Sequence, residues 1–413
     1  EDKLLKIGTT LNIDSASLTM ASNSTLDVEG AVQIITSADS TVFNIDSESS
    51  IKIDADNIIT NGAVDAVAVI DLDSATSTIT NGTLDAIANI DIDSVANTQI
   101  NGTVNSNANL TINANTGLVA NAALSATDDL LITSANGSVV LNDTVIAGGN
   151  LTIEAINGLL SEALLQSGLD LNITSTQGGV TTNGLITSGG LLAINAKGDV
   201  ELNEDVMVAL TSSISVNNDE TDTNSNITIN DVFNSDGETQ LLADGNITTN
   251  ADLSTLDNLF IHSGDNVLLN GNLTIAGLLD VDAVDAISLT QGKLVQVGTL
   301  DNKAGANIDS ASFTMESDST LDVEGAVQIT TSADTVVHHI DSESSINVDA
   351  DNITINGAVD AVAAIDLDSK SITTVNGTLN AIGNVDLDSL ANTEINGTVN
   401  SHADLTINAN TGL

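Results

Sequence analysis

The residues best placed to do chemistry are aspartates. Asp71 and Asp73 stand two apart, Asp91 and Asp93 repeat the pair twenty residues on, and Asp366, Asp368, Asp386 and Asp388 repeat both pairs later in the chain. Residues two apart share one face of a strand. If successive pairs stack at the spacing of neighbouring strands, about 4.8 Å, two like charges repel by roughly 0.9 kcal/mol even in water. A hard cation such as Ca2+, which takes about 6–8 oxygen ligands, relieves that repulsion. These eight aspartates are therefore the candidate metal ligands, with Ca2+ the cation they would suit and no cofactor required. The competing reading is a solvated acidic face that keeps molecules apart and soluble. Two features favour it for any single site. Thr111 and Asn113 follow in the same columns, and the glycine-rich Ca2+-binding nonapeptide repeat is absent.

Other chemistry is sparse. The four histidines, His262, His338, His339 and His402, show no metal-ligand spacing, and no nucleophile lies in a triad-like pattern. There is no cysteine, which removes disulfides and thiol catalysis together. Pectin-degrading β-helices combine aspartates with basic residues, whereas this chain has no arginine. A polysaccharide-acting enzyme is thus the third reading, and no catalytic residue is assigned. Thr78, Thr80, Thr83 and Thr103 suggest outward hydroxyls, but the pairs do not persist as an ice-binding array would require. Asn-x-Ser/Thr sequons, as at Asn109, Asn150 and Asn226, arise by chance in so Asn- and Thr-rich a chain.

The elements that must position these residues follow from repeats. Residues 12–118 align with 307–413 at an offset of 295 without a gap, and 26 positions differ. Within each copy a shorter period of about twenty residues runs. Asn61, Asn81, Asn101 and Asn121 mark it, as do Asn356, Asn376 and Asn396. Three apolar columns keep the same step: Val64, Leu84, Val104, Leu124; Ile70, Ile90, Leu110, Leu130; and Leu72, Ile92, Ile112, Ile132. Locally the apolar residues alternate, as in Ile70-Asp71-Leu72-Asp73, which is strand period. A twenty-residue unit of short strands cannot bury its inner face alone, and stacking copies solves this. The expectation is an all-β parallel β-helix, a β-solenoid of roughly 20 rungs, with a length on the order of 100 Å at the strand spacing.

The Asn column predicts amide ladders from rung to rung, with the following Gly supplying a positive φ at a tight corner. Between copies Ile90 becomes Val385, Ile92 becomes Leu387 and Val95 becomes Leu390, which marks these positions as inward. Phe43 and Asn44 become His338 and His339, which marks an exposed corner. Three segments are expected: a regular solenoid over 1–140, a looser-spaced one over 141–306, and the second copy over 307–413, all in one continuous rod. Residues 217–225 contain no apolar side chain and read as a loop leaving it. Helix is not expected, apart from a weak tendency near residues 159–165.

Composition agrees. The chain of 413 residues has no proline, and proline is excluded from central strands. There are 57 acidic residues against 7 lysines, a formal charge of −50. Such a surface repels nucleic acid and anionic membranes and attracts cations. Yet 41% of residues are hydrophobic, too many for a disordered polyanion. No apolar run reaches the ~18 residues of a membrane span, so membrane insertion is not expected. The first residues, Glu1-Asp2-Lys3, show no signal peptide, and the chain reads as a mature or excised segment of a longer array.

The stretches Gly148-Gly149-Asn150-Leu151-Thr152-Ile153-Glu154-Ala155, Gly189-Gly190-Leu191-Leu192-Ala193-Ile194-Asn195-Ala196 and Gly198-Asp199-Val200-Glu201-Leu202-Asn203 resemble the degenerate repeats of filamentous-haemagglutinin-like exoproteins and large repetitive bacterial adhesins. The shared pattern is a Gly-Gly or Gly-Asn turn, then Leu-x-Ile, then Ala and a second glycine turn. The resemblance implies a right-handed β-helix shaft, export to the bacterial cell surface, and a role in attachment or fibre formation on a host or environmental surface. The leading expectation is a structural fibre or stalk segment that stacks end to end or continues into further repeats. A Ca2+- or glycan-binding surface module is the alternative.

Overall fold

The computed structural model describes residues 3–216 and 224–412. The chain divides into two compact units, Glu1–Gly198 and Asp199–Leu413. Each is an all-β parallel solenoid, and among the described residues there is no helix.

In the first unit one coil is carried by three strand segments. Leu84–Ala86, Ile90–Ser94 and Asn97–Ile100 make one such coil. Every segment pairs in parallel with its equivalent one coil on. Leu84 faces Val104, Ile90 faces Leu110, and Thr98 faces Leu118. Parallel pairing follows from the winding, because each coil runs the same way as the last. Inward side chains therefore lie over one another. Ile70, Ile90, Leu110 and Leu130 form one such column, and Leu72, Ile92, Ile112 and Ile132 another, all at most 1% exposed. One-residue insertions are absorbed at corners, and Leu151, Leu171 and Leu192 resume the column.

The second unit repeats this plan with two long steps. Val200 pairs with Ile227 and Leu279 with Ala306, 27 residues apart in each case, against 20 between Thr239 and Leu259. Phe233 fills its core with no exposure. Of the expected loop at 217–225, residues 217–223 lie outside the described residues. Asn224 is described, and its Nδ2 donates to Asp265 Oδ2 at 2.7 Å.

Four expectations are corrected. The helical tendency near residues 159–165 gives way to the strands Leu159–Ser161 and Leu165–Ser167, because Leu159 and Leu165 each stack in parallel on the neighbouring coils. Thr78 and Thr80 point inward with no exposure. Thr78 Oγ1 donates to Ser74 Oγ at 2.9 Å, and Ser94 Oγ donates to Thr78 Oγ1 at 2.9 Å, so these hydroxyls satisfy one another, whereas Thr80 Oγ1 is buried without a partner. Val95 and Leu390 face outward, 62% and 64% exposed. They sit just past the ends of Ile90–Ser94 and Val385–Ser389, where strand alternation no longer governs direction. Finally, Gly82 and Gly102 do not have positive φ. A Cβ on Gly82 would fall on the carbonyl oxygen of Gly62, and one on Gly102 on that of Gly82. Close backbone approach, not turn handedness, excludes a side chain.

Candidate functional site

The acidic face of the first unit is built by strand alternation. In Ile51–Thr60, Ile70–Thr80 and Ile90–Ser94 the alternating residues Ile51, Ile53, Ile70, Leu72, Ile90 and Ile92 are buried, which turns the residues between them outward. Pairing then stacks Lys52, Asp71 and Asp91 in one column and Asp54, Asp73 and Asp93 in the next. The predicted pairs are thus brought together in register, with two residues added, Lys52 and Asp54.

Lys52 changes the chemistry of the face. Its Nζ donates to Asp71 Oδ2 at 2.6 Å and also to Asp73 Oδ2. Burial pulls the ammonium pKa down, but the hydrogen bonds and charges of the two carboxylates outweigh it and the net shift is upward. Lys52 therefore bridges the first aspartate pair. The sequence signal for Lys52 existed: it stands nineteen residues before Asp71, one coil back, in an Ile-x-Ile-x frame.

Asp91 lies beyond the reach of that lysine's hydrogen bonds. Its Oδ1 is buried without a partner. Burial, then the charges of Asp93, Asp71 and Asp73, push its pKa up to about 6. The column ends on amides and hydroxyls. Asn113 Nδ2 donates to Asp93 Oδ1 at 2.7 Å, and Thr133 Oγ1 donates to Asn113 Oδ1 at 2.5 Å.

The second copy stacks Asn347, Asp366 and Asp386 beside Asp349, Asp368 and Asp388. Asn347 stands where the first copy has Lys52. Asp366, Asp368 and Asp386 are all shifted upward by burial first and neighbouring carboxylates second. A different lysine approaches this face: Lys370 Nζ lies 3.7 Å from Asp349 Oδ1. The column again ends on an amide, with Asn408 Nδ2 donating to Asp388 Oδ1 at 2.6 Å.

A second acidic column escaped the sequence reading. Asp27, Asp46, Asp65 and Asp85 stack in register. Lys6 Nζ meets Asp27 Oδ2 at 2.5 Å at one end, and Asn105 Nδ2 donates to Asp85 Oδ1 at 2.6 Å at the other. Asp322, Asp341 and Asp360 form its counterpart, closed by Asn380 Nδ2 on Asp360 Oδ1 at 2.6 Å. Its steps of nineteen and twenty residues were present in the sequence, but each aspartate stands alone in its strand.

The predicted amide ladders are present. Asn81, Asn101, Asn121 and Asn142 each donate Nδ2 to the Oδ1 one coil back, at 2.9, 2.8, 2.8 and 2.7 Å. Asn376 and Asn396 continue the pattern in the second copy, both at 3.0 Å. The second unit has another at Asn203, Asn230, Asn250 and Asn270.

The histidines do not converge. Phe43, Asn44, His338 and His339 are half-buried rather than exposed, because the next coil covers the corner. His262 Nδ1 stands 3.6 Å from Asp282 Oδ2, beyond hydrogen-bond distance. Among the described residues no group of three or more His, Asp or Glu side chains is arranged to hold a metal ion. No family model, curated protein or solved structure matches the chain. What the arrangement offers chemically is a cation-attracting surface whose charges are spaced by the coils and pinned at column ends by lysine and asparagine.

Proposed function

We propose that this chain is a structural, fibre- or stalk-forming segment of a secreted bacterial surface protein, of the filamentous-haemagglutinin-like or large repetitive adhesin kind. The observation that carries this reading is the continuity of its ladders. Within each unit, backbone pairs, aliphatic columns and side-chain amides repeat along that unit's own coils, so load along them is shared by many parallel hydrogen bonds. Acidic columns on the outside keep such shafts apart and soluble. Stacking onto further repeats, or onto another copy end to end, suits unpaired strand edges.

Electron microscopy of the purified chain, with cell-surface labelling in the producing organism, tests the proposal. Straight shafts of uniform width on the outer surface are the expected result. Compact particles, or a protein retained in the cytoplasm, would overturn it.

A further inference from the structure

A groove of about 550 Å3 opens on the first unit beside the acidic face. Asp54, Asp73 and Asp93 line one side, and Ala75, Val95 and Ala135 give it an apolar wall. Val95 is 62% exposed, an aliphatic side chain held out beside carboxylates rather than folded into the core. Apolar surface flanked by fixed charge of one sign suits a ligand with a hydrocarbon stem and an opposite charge at its tip.

The second copy supplies such a ligand from its own chain. At the offset of 295 the position of Ala75 is taken by Lys370 and that of Asp54 by Asp349. Lys370 Nζ reaches to 3.7 Å from Asp349 Oδ1. Leu390, 64% exposed, stands where Val95 does. The two copies thus differ at the wall of this groove: alanine in the first, lysine directed at the acidic column in the second.

We infer that the groove of the first unit is a docking site for a lysine-bearing segment of a partner protein, whose ammonium groups meet Asp54, Asp73 and Asp93 while the side-chain stems lie on Ala75 and Val95. Lys52 already engages Asp73 through Oδ2, and Asn113 engages Asp93 through Oδ1, so both carboxylates are held in place before binding. A second copy of this chain is a poor occupant. With 57 acidic residues against 7 lysines, the flank of a second copy would set carboxylates against carboxylates in this groove, whereas end-to-end stacking leaves the groove open.

The test uses the full chain and a labelled peptide of alternating lysine and alanine, read by fluorescence anisotropy and calorimetry. One peptide per chain is expected at physiological salt. Ala75→Lys, which copies Lys370, weakens binding by about tenfold or more, and Lys370→Ala raises the stoichiometry to two. Ala75 is exposed, so its replacement leaves the fold intact and does not lower its stability, which circular dichroism checks. Three results would overturn the inference: no binding to the wild type; Ala75→Lys binding as the wild type does; or spermine displacing the peptide with the same dependence on Ala75, which would make the site a polyamine site instead.

Discussion

His339 Nδ1 accepts a hydrogen bond from the Ala358 backbone N–H at 3.2 Å, in the place where Asn44 Oδ1 accepts from Ala63 N–H at 3.1 Å. A ring and an amide thus perform the same task at equivalent corners of the two copies. Both supply an acceptor, nineteen residues back, to a half-buried donor of the next coil. The neutral ring, protonated on Nε2, is the form that accepts here. His339→Asn is therefore expected to leave the stability of the second unit within about 0.5 kcal/mol. His339→Val, which leaves the donor without its partner, is expected to cost about 1 kcal/mol. Urea unfolding of the two variants checks this, and equal losses would refute the acceptor role.

Glycine positions separate two kinds of constraint. Gly292 has φ +69 and open space where a Cβ would stand, whereas Gly82 has an ordinary φ and the Gly62 carbonyl in the way. Gly292→Ala is expected to cost about 1 kcal/mol through backbone strain alone. Gly82→Ala must push two coils apart, costing about 3 kcal/mol or more. Chemical denaturation ranks the two, and the reverse order would count against the close approach.

The acidic faces differ by one lysine. Lys52→Gln is expected to lower the stability of the first unit by about 1 kcal/mol, since two half-buried carboxylates lose a shared partner. Asn347→Lys places an ammonium at the same point of the second copy and is expected to raise stability by a few tenths to about 1 kcal/mol. Both effects shrink in high salt. Melting curves at low and high sodium chloride measure them, and salt-independent differences would point to packing instead of charge.

The pH response has a definite sign. The folded pKa of Asp91 lies above its unfolded value, at about 6, so its contribution favours folding below pH ~4 and is lost as pH rises through about 6. Asp65, Asp244, Asp341, Asp366, Asp368 and Asp386 shift in the same direction. Stability is therefore expected to fall between pH 4 and 7. Asp91→Asn should flatten part of that slope and add on the order of 1 kcal/mol at pH 7, once solvent screening is allowed for. Denaturation midpoints across this range decide; a rise in stability with pH would contradict the burial and mutual repulsion of these carboxylates.

Calcium offers a separate check on the eight aspartates read as ligands. With Lys52 bridging one pair and amides closing the columns, Ca2+ is expected to raise the melting temperature no more than Mg2+ at equal ionic strength. A calcium-specific shift of several degrees, abolished by Asp366→Asn together with Asp386→Asn, would instead establish dedicated sites.

The sequence by itself determined the coil. Its period of about twenty residues and the alternation inside each short strand place Ile70, Ile90 and Leu110 over one another, since a period of two within a strand and a fixed step between strands leave no other face for them. The aspartate pairs and the asparagine ladder were legible for the same reason. What only the tertiary structure decided lies at the corners. Between Ser74 and Ser77 the pairing register shifts, alternation restarts in a new phase, and Thr78 turns inward, while Val95, just past a strand end, turns out. Lys52 and the column from Asp27 to Asp85 belong here too. Their neighbours are one coil away in space but nineteen or twenty residues away in sequence, and how a given corner absorbs one residue is settled by packing against the adjacent coil.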